Sequence, residues 1–285
     1  MDAHRDQGAV VVGVDGSGTS LNAVRWAAYA AERLHTPLVI ACAPPFFTHR
    51  TMDARTPESN PPSRWHRIAE STADHAAALV RTYAPELPVA TETTPEAPDL
   101  ALISRSAQAR LLVVGAQTAW DNRVVGPTTM AVARHAHCPV VVWRGVAGRP
   151  IPRRSPVAVG VDGTPLSTGA LELGFELADA FGVSLLAVHA RPHRIAPVGR
   201  QYDHAETEQN VPTDALAPYR TKYPHVEATE VTVTGVPATM LAAMGRDAQL
   251  LVVGTRARNA ATAALFGSTS RDLLHHAPCP VLLYR

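Results

Sequence analysis

The sequence predicts an α/β protein made of two similar doubly wound domains, each on a five-stranded, mainly parallel sheet. Three observations carry this. Short apolar runs such as Leu250–Val253 stop at glycine, the pattern of a strand buried on both faces of a parallel sheet. These runs alternate with segments of helical spacing, as right-handed strand-helix-strand units require. The whole order then occurs a second time.

In the first half, Val10–Val14 is a β-rich run closed by Asp15-Gly16-Ser17. Ser20–His35 has helical spacing through Leu21, Val24, Ala27, Ala28, Ala31 and Leu34, and a strand at Leu38–Ala43 follows at once. A helix over Ser63–Tyr83, a strand at Val89–Thr93 and a helix over Pro98–Ala107 come next. The half ends with a strand at Leu111–Gly115, a helix over Thr128–His137 and a strand at Pro139–Trp143.

The second half repeats this order. Val157–Val161 leads to Asp162-Gly163-Thr164, a helix near Ser167–Phe181, a strand at Leu185–Ala190 and a short helix over Thr213–Lys222. GVDGSGTS (Gly13–Ser20) faces GVDGTPLS (Gly160–Ser167), LLVVG ends at both Gly115 and Gly254, and RHAHCPVVVWR (Arg134–Arg144) faces HHAPCPVLLYR (His275–Arg285). Each repeat is the size of a domain, so this is a duplication and not a solenoid. The domains span residues 1–147 and 155–285, joined through the Gly-, Pro- and Arg-rich stretch Gly145–Pro156. Two long irregular stretches, Pro44–Pro62 and Arg191–Pro212, follow the second strand of each half; they are lid candidates or plain insertions.

Composition narrows the function classes. With 46% hydrophobic and 18% charged residues the chain reads as globular, and a net charge of +1 advertises no nucleic-acid partner. No apolar run approaches the roughly 20 residues that span a bilayer, and the N-terminus has no signal-peptide pattern, so a cytoplasmic protein without a membrane partner is expected. Three cysteines, far apart and without a CxxC pair, suit reduced thiols better than disulfides or a zinc site. Lys222 is the only lysine and lies at a helix end, which discounts Schiff-base chemistry and a Walker-type phosphate lysine.

The chemistry converges on the loop after Leu250–Gly254. It carries Arg256 and Arg258 and leads to Gly267-Ser268, where a new helix pattern starts. Glycine lets a ligand approach the backbone, Ser268 is expected to cap the helix, and a helix N-terminus offers N–H groups at the positive end of its dipole. That is a phosphate seat, although Gly and Ser also suit an ordinary turn. In the first half the same loop is two residues shorter and Pro127 stands where Ser268 would be. Proline brings neither N–H nor hydroxyl, so unequal sites are expected, the second the better binder.

With both halves laid out, the chain resembles a tandem universal stress protein over nearly its full length. VVGVDGS and VAVGVDGT, VTVTGVPATML, LLVVG and the HAxCPV motif carry the resemblance. It implies two sheets of order 3-2-1-4-5, as in adenine-nucleotide alpha-hydrolases. The family's nucleotide pattern is Gly, two residues, Gly, nine residues, Gly, then Ser or Thr. Gly254, Ala257 and Gly267-Ser268 keep that spacing with Ala for the second Gly, whereas Thr118 and Pro127 depart further in the first half.

By that resemblance Asp162 bonds the adenosine and the backbone of Ala190 meets the adenine. Gly254, Arg256, Ala257, Gly267, Ser268, Thr269 and Ser270 then surround ribose and phosphates. The matching positions of the first half are Asp15, Ala43, Gly115, Gly126, Thr128 and Thr129. Asp15 and Asp162 could equally close Asx turns, and His189, beside the adenine position, reads as a half-buried strand-end histidine as readily as an acid or base.

The implied function is an ATP-binding stress-response regulator, with Mg2+ as the optional companion of the phosphates. The nucleotide acts there as a conformational or assembly ligand. No carboxylate lies between Gly254 and Ser270 to position a water or a metal. The alternatives are a slow ATPase or nucleotidyl-transfer enzyme, and a nucleotide-free dimeric scaffold. The apolar last strands, PVVVW and PVLLY, are expected at sheet edges and in need of cover, through pairing of the halves and a homodimer. The sequence names no downstream protein partner.

Overall fold

Each run of β-branched and aliphatic residues singled out above becomes a strand. The computed structural model describes residues 8–43, 62–116, 125–144, 152–191, 215–255 and 267–285. The loop residues Arg256, Ala257 and Arg258, Thr118, both lid candidates (Pro44–Pro62 and Arg191–Pro212) except their terminal residues Pro62 and Arg191, and most of the linker lie outside the described residues.

The chain divides into two compact units, Met1–Ile151 and Pro152–Arg285. The first runs β1 (Ala9–Val14), α1 (Gly18–Arg33), β2 (Leu38–Cys42), α2 (Pro62–Tyr83), β3 (Val89–Thr93), α3 (Pro98–Ser106), β4 (Ala109–Gly115), α4 (Pro127–His135) and β5 (Val140–Trp143). The second runs β6 (Val157–Gly160), α5 (Pro165–Phe181), β7 (Leu185–Arg191), α6 (Ala217–Lys222), β8 (Ala228–Thr234), α7 (Pro237–Met244), β9 (Leu250–Gly254), α8 (Ser268–His276) and β10 (Val281–Tyr284). Helices α1 and α5 start two residues earlier than the hydrophobic spacing suggested, because their caps are Ser17 and Thr164.

Strand order is β3-β2-β1-β4-β5 in the first unit and β8-β7-β6-β9-β10 in the second. The ladders of the first unit and those of the second are parallel. The expected order 3-2-1-4-5 is therefore present twice. The order in which strands are added reverses between β1 and β4 and between β6 and β9, although both pairs are parallel; these are the switch points where open α/β sheets leave a crevice.

The central strands are buried throughout: Val157–Val159 and Leu250–Leu251 expose none of their surface. Such strands need helices on both faces, and glycines let α5 come close. A Cβ at Gly174 would lie 2.4 Å from Val159 Cγ2, and one at Gly169 would meet the Tyr284 ring at 2.3 Å. Helix α6, shorter than expected, is fastened to α5 by stacking of Phe175 on Tyr219 and Tyr223, with ring centroids 5.4 and 5.9 Å apart. Lys222, the lone lysine, is spent on Glu172 at 3.0 Å.

Cys42, Cys138 and Cys279 form no disulfide and are buried, each inside its unit's core. Among the described residues no helix is long and apolar enough to cross a membrane.

Candidate functional site

At the carboxyl ends of β6, β7 and β9 the second unit opens a cleft of about 410 Å³, within the range of ligand pockets. It lies at the switch point. Val161, Leu166, Val188, Leu241 and Val253 supply apolar walls, and the first turn of α8 also lines it. Seven of the nine residues expected in this site line it together: Asp162, Ala190, Gly254, Gly267, Ser268, Thr269 and Ser270. The other two, Arg256 and Ala257, lie outside the described residues.

The strand-to-helix turn after β6 is built by Asp162-Gly163-Thr164. Gly163 has φ 76°, a left-handed conformation that favours glycine. Asp162 Oδ1 accepts the Thr164 backbone N–H at 3.1 Å and the Thr164 hydroxyl at 2.6 Å. Thr164 Oγ1 in turn accepts from Ser167 N–H, capping α5. Of the two readings left open for Asp162, the Asx turn is present, and its carboxylate is exposed on the cleft wall as well.

The two glycines of the loop differ in their reasons. A Cβ at Gly254 would approach the Leu166 backbone to 3.0 Å, so packing of β9 against α5 demands glycine there. A Cβ at Gly267 would meet nothing within 4 Å among the described residues, and its φ of −58° suits any residue. The described residues give no packing reason for glycine at 267.

The expectation that Ser268 caps the helix is corrected. Gly267 occupies the cap, Ser268 is the first helical residue, and α8 has no side-chain cap bond. Gly267 fits the cap because its ψ of 144° is extended. The first intrahelical bond runs from Arg271 N–H to the Gly267 carbonyl at 3.1 Å. The N–H groups of Ser268, Thr269 and Ser270 therefore have no partner within the helix and stand at the positive end of its dipole, on the cleft.

His189 also lines the cleft. Its Nδ1–H donates to the Val161 carbonyl at 2.8 Å. Thr164, Ser167 and the α7 residues Pro237 and Leu241 belong to the lining too, though none was singled out as a site residue. The signal for the α7 pair was VPATML, which places a helix start right after β8.

The first unit closes the corresponding features on itself. Asp15 Oδ1 accepts from Ser17 N–H at 2.9 Å, repeating the Asx turn, and Gly16 has φ 79°. Gly126 caps α4 but is buried, its N–H donated to the Ala116 carbonyl at 3.1 Å. Pro127 is the first helical residue and removes one donor. The Thr129 hydroxyl is spent on the Gly115 carbonyl at 2.7 Å. Gly115 is tightly packed as well, since a Cβ there would lie 3.2 Å from Ser20 N. Ala43 follows β2 directly after Cys42, and Thr128 is half-buried in the first turn of α4. Burial, and then the charge of Asp15, push the Cys42 thiol up to about 11.

Among the described residues no group of three His, Cys, Asp or Glu side chains is placed to hold a metal ion.

The profile of the Universal stress protein family matches residues 8–144 and 154–285. The chain belongs to the universal stress protein family. Universal stress protein Rv2623 of Mycobacterium tuberculosis is 32% identical, the match covering 97% of this chain and 96% of that protein. Universal stress protein Rv2005c of the same species is 31% identical, with 100% and 99% covered. Both are tandem-length members of the universal stress protein family, like this chain. The crystal structure of a universal stress protein from Archaeoglobus fulgidus superimposes with a TM-score of 0.67 at 16% identity, covering 98% of this chain and 97% of that one. That likeness concerns the fold.

Proposed function

We propose that the second unit binds ATP and that this universal stress protein uses the nucleotide as a conformational or assembly ligand. The observation that carries the reading is Gly267: an open glycine at the uncapped start of α8, facing a cleft at the strands' carboxyl ends. In the proposed complex the phosphates sit on the N–H groups of Ser268, Thr269 and Ser270, with Arg256 supplying charge and Ala257 and Gly254 lining the approach. Asp162 bonds the adenosine, and the backbone of Ala190 meets the adenine between apolar walls.

Any Mg2+ is carried on the phosphate oxygens in this reading. The first unit is the weaker or empty partner, because Pro127 and Gly126 offer fewer free donors. Ligand stabilisation of one state follows from mass action alone and needs no hydrolysis. The protein works as a cytoplasmic homodimer in this proposal.

Calorimetric titration of ATP into full-length protein stripped of nucleotide tests it. Saturable heat is expected. No heat at millimolar ATP overturns the nucleotide reading and leaves a scaffold role.

A further inference from the structure

We infer that His189 makes the site selective for 6-aminopurine nucleotides by presenting a fixed hydrogen-bond acceptor to the base. This rests on the nucleotide reading of the same cleft and adds the residue that reads the base.

The geometry fixes the tautomer of the neutral ring. A carbonyl oxygen cannot donate, so the 2.8 Å bond to Val161 requires the proton to be on Nδ1. Nε2 of the neutral ring is then an acceptor. Val161 is itself held, its N–H bonded to the Val188 carbonyl at 2.9 Å, so the imidazole is hung from the sheet and not from a loop. Both Val161 and His189 line the cleft, next to Ala190.

An amino group at purine position 6 donates, whereas an oxo group there accepts and would set two lone pairs against each other. A locked acceptor distinguishes them. In the first unit the same place, just before Ala43 at the end of β2, is taken by Cys42. That buried thiol gives no comparable acceptor, so base selection is assigned to the second unit alone.

The test titrates stripped full-length protein with ATP, purine riboside 5′-triphosphate (no group at position 6) and inosine 5′-triphosphate (oxo group). Wild type is expected to bind ATP roughly three- to tenfold tighter than the purine riboside analogue, the size of one net hydrogen bond, and the inosine analogue more weakly still. His189→Phe keeps a ring but no acceptor and levels the first two affinities. His189→Gln, whose amide oxygen can accept, keeps the preference.

Equal affinities in wild type, or an unchanged ratio in His189→Phe, overturn the role of His189 while leaving nucleotide binding in place. Failure of all three ligands to bind overturns the nucleotide reading and this inference with it. Equal wild-type affinities overturn the inference even if a variant does not fold, and either folded variant is enough to assign a wild-type preference to His189.

Discussion

The Thr164 hydroxyl donates to the Asp162 carboxylate across 2.6 Å, while the Ser17 hydroxyl at the matching turn of the first unit lies 3.3 Å from Thr19 Oγ1. The two turns share a backbone and differ in what holds the aspartate. In the second unit the helix cap and the cleft carboxylate are one hydrogen-bonded unit.

Thr164→Ala is therefore expected to lower the stability of the second unit by about 1 kcal/mol, the usual worth of an N-cap, and Thr164→Ser to retain most of it. Urea unfolding of both variants checks this. Thr164→Ala as stable as wild type would show that the cap is idle.

Gly174→Ala ought to destabilise despite the helical preference for alanine, worth about 1 kcal/mol over glycine. The added methyl would sit 2.4 Å from Val159 Cγ2 in the core of the second unit, and overpacking of this kind costs roughly 1–3 kcal/mol. A lower midpoint in thermal unfolding is the expected result. A raised midpoint would mean that α5 is not seated this closely on β6.

Cys42 provides a pH test. Its thiol is raised from 9.0 to about 11 in the folded state, by burial first and by Asp15 second. The unfolded chain therefore loses this proton at lower pH than the folded one. The stability tied to the neutral thiol is fully present below pH 9 and is lost as pH rises towards 11. Tyr219 and Tyr223, also raised by burial, titrate in the alkaline range too, so the useful quantity is wild type minus Cys42→Ala. That difference should shrink between pH 9 and 11, and a constant difference contradicts the assignment. The folded protein should also resist thiol reagents at neutral pH.

The alternation of strands and helices was legible because inner strands such as β1, β6 and β9 are apolar runs and because the duplication shows every element twice, whereas the order 3-2-1-4-5 was implied by the family resemblance. Asp162, Ala190 and Gly254 were expected in the site from the family resemblance; in the structure they lie at or near the carboxyl ends of β6, β7 and β9, where this topology leaves its crevice. The start of α8 was misplaced by one residue. Gly267 and Ser268 can both serve as a cap, and only backbone angles decide between them.

The hydroxyl of Thr164 and the tautomer of His189 were not legible. Both depend on a contact with a neighbouring strand end or turn that spacing along the chain does not encode. The packing role of Gly254 against Leu166 was hidden for the same reason.

Gly267→Asp separates binding from stability and tests the central claim most directly. Asp is a better helix cap than Gly by a few tenths of a kcal/mol, and an added Cβ meets nothing within 4 Å among the described residues, so the nucleotide-free variant should melt at or slightly above the wild-type temperature. Its carboxylate, however, would occupy the phosphate seat and repel the phosphates. The decisive measurement is the number of ATP molecules bound per chain in stripped wild type and in this variant, by calorimetry. About one per wild-type chain and none in the variant is the expected result. Two per wild-type chain, or binding that survives Gly267→Asp, would contradict a single competent site at the start of α8.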